Sequence, residues 1–309
     1  MGGAIGPAAD AGEAAVRLMQ LADDANFVID MTDTFDLTAY LARIGYQGPV
    51  APDLVTLRAI VAAQPAAIPF ENLDPLLGRP PRLDVDALQA KLVGERRGGY
   101  CFELNTLLAA ALDRIGFAVT RLAGRVRWMA PPDRPESART HMLLAVDLPH
   151  EGRYLADAGF GGLLLGRPLR FMPDEEQRAQ SGTMRLLQAG AIYTLQVLLP
   201  TGWQDCYRFT LEPQLPIDYI VANWYTATLP TSLFVTNLLV QRLTATGHAT
   251  LFNTRFSERD FDGTLREREV PDPAALAELL ETVFAITPPE DVGAIWPRLP
   301  RPDHPVRAK

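Results

Sequence analysis

The spacing of hydrophobic positions changes character near residue 116. Before that point it is mostly helical, interrupted by the extended IPFENLDPLLGRPPRL segment, whose prolines remove backbone donors. Asp36 is placed to cap a Leu/Tyr/Ile helix in a domain that starts near Met31. The strongest helix is predicted over about Phe102 to Ile115, because Leu104, Leu107, Leu108, Ala111, Leu112 and Ile115 recur at steps of three and four, and Gly116 is its natural stop. Beyond it the period falls to two. Val126 and Trp128 alternate with Arg125 and Arg127, and Met142, Leu144, Val146 and Leu148 would share one strand face. Strand-like stretches recur at AIYTLQVLL, CYRFTL, FVTNLLVQRL and ATLFNTRF, and Asp272 with Pro273 opens a helix through Leu276, Leu279, Leu280 and Val283. A helical first part, a β-rich middle and a mixed C-terminal third make the predicted class α+β. Residues 1–30, rich in Ala, Gly and Asp, read as a loosely attached extension, and residues 299–309 as a tail.

Composition bounds the function. A chain of 309 residues, 48% hydrophobic and 21% charged, is too long for one small core. Its formal charge of -8 argues against wholesale binding of nucleic acid or acidic membrane. No apolar run approaches the roughly 20 residues that span a bilayer, and the N-terminus lacks the basic start and apolar core of a secretory signal. Cys101 and Cys206 are the only cysteines. With four scattered histidines they give neither a disulfide framework nor zinc spacing, so no metal and a reducing, cytoplasmic setting are expected.

The chemistry-bearing residues are few. RGGYCFELN places Cys101 immediately before the strongest helix, where free N–H groups and the positive dipole end favour a thiolate, and the glycine pair leaves room beside the sulfur. Cys206 has only a strand-like setting and reads as packing. A thiolate nucleophile needs a base or imidazolium oriented by a third group. His141, in THMLLAVDL, and Asp157, in RYLADAGFG, flank the turn-like PHEG, so an antiparallel hairpin would bring them near one another. A register with Leu148 opposite Arg153 sets Leu144, not His141, against Asp157, and close contact then requires a bulge or a different turn. His150, His248 and His304 fall in turn or tail sequences and carry no assigned chemistry.

Taken in order, IPFENLD, RGGYCFELN, RTHMLLAV, LADAGFGG and NWYTATLPTSLF closely resemble the arylamine N-acetyltransferases, over about residues 33–285. The resemblance implies a three-domain, thiol-protease-like architecture: a helical bundle (31–116) carrying the nucleophile, a β-barrel (117–212) carrying His and Asp, and an α/β lid (213–298). It implies a Cys101, His141, Asp157 triad and ping-pong transfer of acetyl from acetyl-CoA to an arylamine, arylhydroxylamine or hydrazine, without metal or prosthetic group. It places Phe70 at an aryl pocket, although core filling suits that ring as well. Thr140, Thr231 and Ser232 fall in blocks near the nucleotide or acyl entrance, and Glu71 with Arg97 look like a structural ion pair beside the cysteine. Arg121, Arg125, Arg127, Arg134 and Arg139 are candidates for CoA phosphates or, equally, a solvated face. A Cys-dependent amide synthase, a thiol hydrolase, or an inactive small-molecule binding protein are the competing readings.

Overall fold

Helix burial organises the first third of the protein. In the computed structural model, which describes residues 35–131 and 133–300, α1 (Leu37–Arg43) and α2 (Leu54–Ala67) are capped by Asp36 and Asp53, whose carboxylates accept from Ala39 N at 2.9 Å and Thr56 N at 2.8 Å. The IPFEN segment gives the two-residue strand β1 (Phe70–Glu71) and then the single-turn helix α3 (Leu73–Leu76). Helix α4 (Val85–Leu88) continues into a π-helical turn, Gln89–Gly94. Helix α5 (Cys101–Ile115) matches its predicted span, and Gly116 ends it at φ 102. Tyr40 donates to Gln64 at 2.6 Å and Gln64 to the Leu104 carbonyl at 2.9 Å, so one satisfied polar chain ties α1, α2 and α5 together inside their core.

Eight antiparallel strands follow: β2 (Ala118–Val126), β3 (Arg139–Leu148), β4 (Gly152–Ala156), β5 (Leu169–Arg170), β6 (Gln177–Ala179), β7 (Gly182–Ala189), β8 (Ile192–Leu199) and β9 (Gly202–Phe209). Their order is β5-β4-β3-β2-β9-β8-β7-β6. The two edges nearly close into a barrel. There the Gln177 carboxamide donates to Arg170 O at 2.8 Å and accepts from Arg170 N at 2.7 Å, imitating a ladder pair between β5 and β6. Strand β3 is buried on both faces. Met142, Leu144 and Val146 pack with the helices, while Leu143 and Ala145 join Leu155, Leu186, Leu195 and Tyr207 in the barrel core.

In the last third, α6 (Pro216–Thr228) and α7 (Leu233–Thr236) precede β10 (Leu239–Leu243), β11 (Gly247–Phe252), β12 (Arg255–Asp260) and β13 (Leu265–Glu269). Helix α8 (Pro273–Thr282) follows, N-capped by Asp272, and then a 3-10 turn, Val292–Arg298. The second sheet runs β1-β10-β11-β12-β13, so Phe70 and Glu71 cross from the helical part to pair with Gln241 and Val240. Helical, near-closed β and mixed α/β regions therefore coexist, in agreement with the α+β class.

Several local expectations change. The strand predicted through Trp128 ends at Val126, and it is Arg127 that is buried, its guanidinium donating to the carbonyls of Arg134 and Pro131. FVTNLLVQRL is not one strand, because Ser232 caps a helical turn over its first residues. ATLFNTRF is a hairpin corner, with Asn253 at φ 55 between β11 and β12. His248 lies within β11 rather than in a turn. The start near Met31 and the extension over residues 1–30 lie outside the described residues, as do His304 and all but Leu299 and Pro300 of the tail.

Candidate active site

Cys101 is the first residue of α5, so its N–H has no intrahelical acceptor and its side chain sits at the positive end of the helix. The approach is fixed by Glu103, which accepts from Tyr100 N at 3.0 Å. The Cys101 Sγ lies 3.5 Å from the Thr140 carbonyl oxygen, which accepts from a thiol but repels a thiolate. His141 follows in the chain.

The hairpin turns differently from the sequence expectation. Its loop is only Pro149, His150 and Glu151, with φ of 70 at His150 and 87 at Gly152, so Leu148 pairs with Gly152 and Leu144 with Ala156. Continued by alternation, this register puts Asp157 on the face of Leu143 and His141; the expected register, one residue away, puts it on the opposite face. The bulge lies elsewhere. It falls between β2 and β3, where Gly124 pairs with His141 and Arg125 with Arg139, leaving Thr140 without a partner just as β3 reaches the sulfur.

Asp157 is fully buried and every oxygen is occupied. Oδ2 lies 2.7 Å from His141 Nε2 and accepts from Tyr207 OH at 2.9 Å; Oδ1 accepts from Asn105 Nδ2 and Gly159 N, both at 2.9 Å. Burial, the largest influence, pushes its carboxyl upward, but His141 and these donors outweigh it and hold it below its ordinary value. For His141 burial works the other way, lowering its pKa. The Asp157 charge and hydrogen bond prevail, helped by Cys101, and raise it to about 10. The ring is held between Tyr207, at 4.7 Å between centroids, and Phe160, at 5.2 Å.

Three residues of this arrangement had no assigned role in the sequence. Asn105 stands one turn after Cys101, donates to Asp157 and to Met142 O, and accepts from Ala158 N, so it locks α5 to β3 and to the Asp157 loop. A lone carboxamide four residues from the cysteine on an apolar helix is a signal that could have found it. Tyr207 offered no signal beyond strand alternation. Gly159 permits the close approach: a Cβ there would stand 2.7 Å from Cys101 Cα. Gly159→Ala is expected to cost about 1–3 kcal/mol through overpacking, seen as a lower melting temperature and slower iodoacetamide alkylation of Cys101. Unchanged values for both would show that the contact relaxes freely.

Beneath the nucleophile, Arg97 donates to Glu71 Oε1 at 3.0 and 2.8 Å and to Asp74 at 3.1 Å, and Lys91 bridges Asp74 at 2.5 Å and Glu103 at 2.7 Å. Burial raises Glu103 to about 7 despite Lys91. This network joins β1 and α3 to the start of α5.

The remaining expected residues are not equally placed. Phe70 is 1% exposed, bridges Gly99 through its backbone and lies 5.9 Å from the Phe234 ring. Thr140 reaches the sulfur by its carbonyl. Ser232 donates to Thr226 O at 2.6 Å and caps α7 by accepting from Phe234 N, while Thr231 is exposed. Asn72, from IPFEN, binds Phe234 O, Asn237 O and Leu239 N and so anchors that segment to β1. Among the arginines, Arg121 pairs with Asp113, Arg125 binds Ser137 O, Arg139 pairs with Glu212, Arg127 holds its own loop, and Arg134 is exposed. Cys206 is buried, which pushes its thiol well above the ordinary range. Among the described residues no group of three or more His, Cys, Asp or Glu is gathered to hold a metal.

Known proteins share this arrangement of chain. The N-acetyltransferase family profile matches residues 53–291. The arylamine N-acetyltransferase of Mycolicibacterium smegmatis is 50% identical over 211 residues, 68% of this chain and 77% of that protein. The arylamine N-acetyltransferase of Escherichia coli K12 is 41% identical over 251 residues, 81% and 88% of the two chains. The crystallised Mycobacterium marinum arylamine N-acetyltransferase in complex with CoA superposes with a TM-score of 0.82 at 38% identity, covering 85% of this chain and 99% of that one.

Proposed function

Because the chain belongs to the arylamine N-acetyltransferase family, we propose that it moves acetyl from acetyl-CoA to an arylamine, arylhydroxylamine or hydrazine through a thioester on Cys101. The observation that carries this reading is the buried His141–Asp157 pair, 2.7 Å apart, beside a sulfur at a helix N-terminus. With its pKa raised, His141 is an imidazolium at neutral pH and pairs with a Cys101 thiolate. The thiolate attacks the acetyl carbonyl carbon of acetyl-CoA; the C–S bond to CoA breaks and His141 gives its proton to the departing sulfur. The acceptor nitrogen then attacks acetyl-Cys101, neutral His141 takes its proton, and the thiolate leaves. The Cys101 N–H is positioned to donate to the oxyanion.

Glu71 and Arg97 act here as a structural pair, holding the loop that delivers Cys101. Phe70, with Phe234, contributes an aromatic wall for the acyl acceptor. Thr140, Thr231 and Ser232 border the donor's path, and the helical, barrel and lid regions take the thiol-protease-like arrangement over 31–116, 117–212 and 213–298. Two free cysteines suit a cytoplasmic protein; no helix of the described residues is long and apolar enough to cross a membrane.

The test is intact-mass spectrometry after mixing the protein with acetyl-CoA and no acceptor. An acetyl adduct mapping to Cys101 and lost on adding an arylamine is expected. A folded, alkylatable protein that gives no adduct would redirect the reading to another acyl donor or to hydrolysis.

A further inference from the structure

A basic groove lies apart from the cysteine site. Helix α2 turns Leu57, Ile60 and Val61 into the core and presents Val55, Arg58, Ala59 and Ala62 on another face, at steps of three and four. That face borders a cavity of about 540 Å³ whose far wall is Gly166, Arg167, Ala179 and Gln180, the segment on which the barrel edges converge. A second cavity of about 350 Å³ shares Arg58 and Arg167 with the first and adds Arg170 and Arg178. The two therefore adjoin as one trough, with Val55, Ala59, Ala62 and Ala179 lining the first part, Arg58 and Arg167 common to both, and Arg170 and Arg178 lining the second. Neither cavity is lined by Cys101, His141, Asp157, Phe70 or Thr140.

Among the described residues the charge is unspent. None of Arg58, Arg167, Arg170 and Arg178 makes an ion pair among the described residues, although the chain as a whole carries a formal charge of -8. Arg153 nearby is paired with Asp147 and is no part of the set. Asp174, Glu175 and Glu176, on the connection between β5 and β6, are exposed and line neither cavity, and Asp53 is committed to capping α2. The walls are held together: Gln180 N donates to Leu165 O at 3.2 Å, Gln177 bridges β5 and β6, and Arg167 Nη1 donates to Arg178 O at 3.3 Å. Guanidinium forks suit phosphate oxygens, and Val55, Ala59 and Ala62 of α2 offer an apolar seat beside them in a cavity within the usual volume of a small-molecule site.

We propose that this trough is a second ligand site, distinct from the acetyl-transfer centre, that binds a small organic phosphate with its apolar part on α2 and its phosphate on Arg58 and Arg167. The probe is 1-naphthyl phosphate, titrated calorimetrically into the full chain. Saturable one-to-one binding is expected, weakening as ionic strength rises. Inorganic phosphate and 1-naphthol should each bind on the order of tenfold more weakly, and Arg58→Gln with Arg167→Gln should weaken 1-naphthyl phosphate by a similar factor or more. Because both side chains are exposed and the only bond lost among the described residues is the long, exposed one from Arg167 to Arg178 O, the walls keeping their Gln177 and Gln180 bonds, the double variant should keep its melting temperature, its kcat and its KM for acetyl-CoA. Binding that is absent, or indifferent to the double substitution, would overturn the proposal. So would a raised acetyl-CoA KM in that variant, which would assign the arginines to the donor site instead.

Discussion

Cys101→Ser is expected to remove turnover, by on the order of 10³-fold or more in kcat, while leaving the melting temperature near that of the parent. The change replaces one buried sulfur by oxygen, and α5, its Glu103 anchor and the Asn105 lock do not depend on it. The chemistry does. A serine hydroxyl must be deprotonated as it attacks, which calls for a neutral imidazole. Here Asp157 holds His141 with a pKa of about 10, so near pH 7 the ring is already protonated and has no room for that proton. On the proposed mechanism the site is thus suited to stabilise an anion that sulfur supplies readily and oxygen does not. Steady-state rates and the intact mass after acetyl-CoA treatment check this together: neither turnover nor an adduct should remain. Full turnover by the serine variant would sink the covalent route.

The parts that were legible in the sequence are local. Helix α5, its glycine stop and the capping aspartates follow from the spacing of Leu104 to Ile115 and from Asp36 and Asp272, because each depends on neighbours within one or two turns. The nearness of His141 and Asp157 was legible as a hairpin but not as a face. Its loop is one residue shorter than PHEG suggests, since a non-glycine, His150, takes a left-handed conformation that composition does not announce. The rest of the setting is nonlocal. Tyr207 reaches Asp157 from fifty positions away, and Asn72 binds a segment more than 160 positions distant, through contacts that exist only after the sheets assemble. The short helix α7 departs from its strand-like pattern for the opposite reason: Phe234 and Val235 have strand propensity, but Ser232 caps one turn and Asn72 secures it.

Asp157→Asn should lower kcat/KM near neutral pH on the order of 10³- to 10⁴-fold, by changing the protonation of His141 rather than its place. The amide keeps an oxygen for Asn105 and Gly159 and a second polar atom for Tyr207, so the ring should remain between Tyr207 and Phe160. Without the carboxylate charge, burial is the largest influence left, opposed only by Cys101, and it pulls the His141 pKa down. On the proposed mechanism the imidazolium that would stabilise the Cys101 anion is then missing at pH 7, and Cys101 alkylation by iodoacetamide should slow with turnover. Stability carries the same signature. In the parent the raised pKa of His141 contributes stability that is complete below its ordinary value of 6.5 and is lost as pH rises toward about 10. Asp157, held low, contributes stability above its ordinary value of 3.8 that is lost as pH falls through its lower folded value. In the variant the histidine's contribution reverses sign, because a buried neutral ring must be charged as pH falls below about 6.5. Melting temperatures between pH 5 and 10 should therefore lose the parent's alkaline decline and gain an acid one. A parallel pH profile in the two proteins, with alkylation unchanged, would mean that Asp157 does not set the charge of His141.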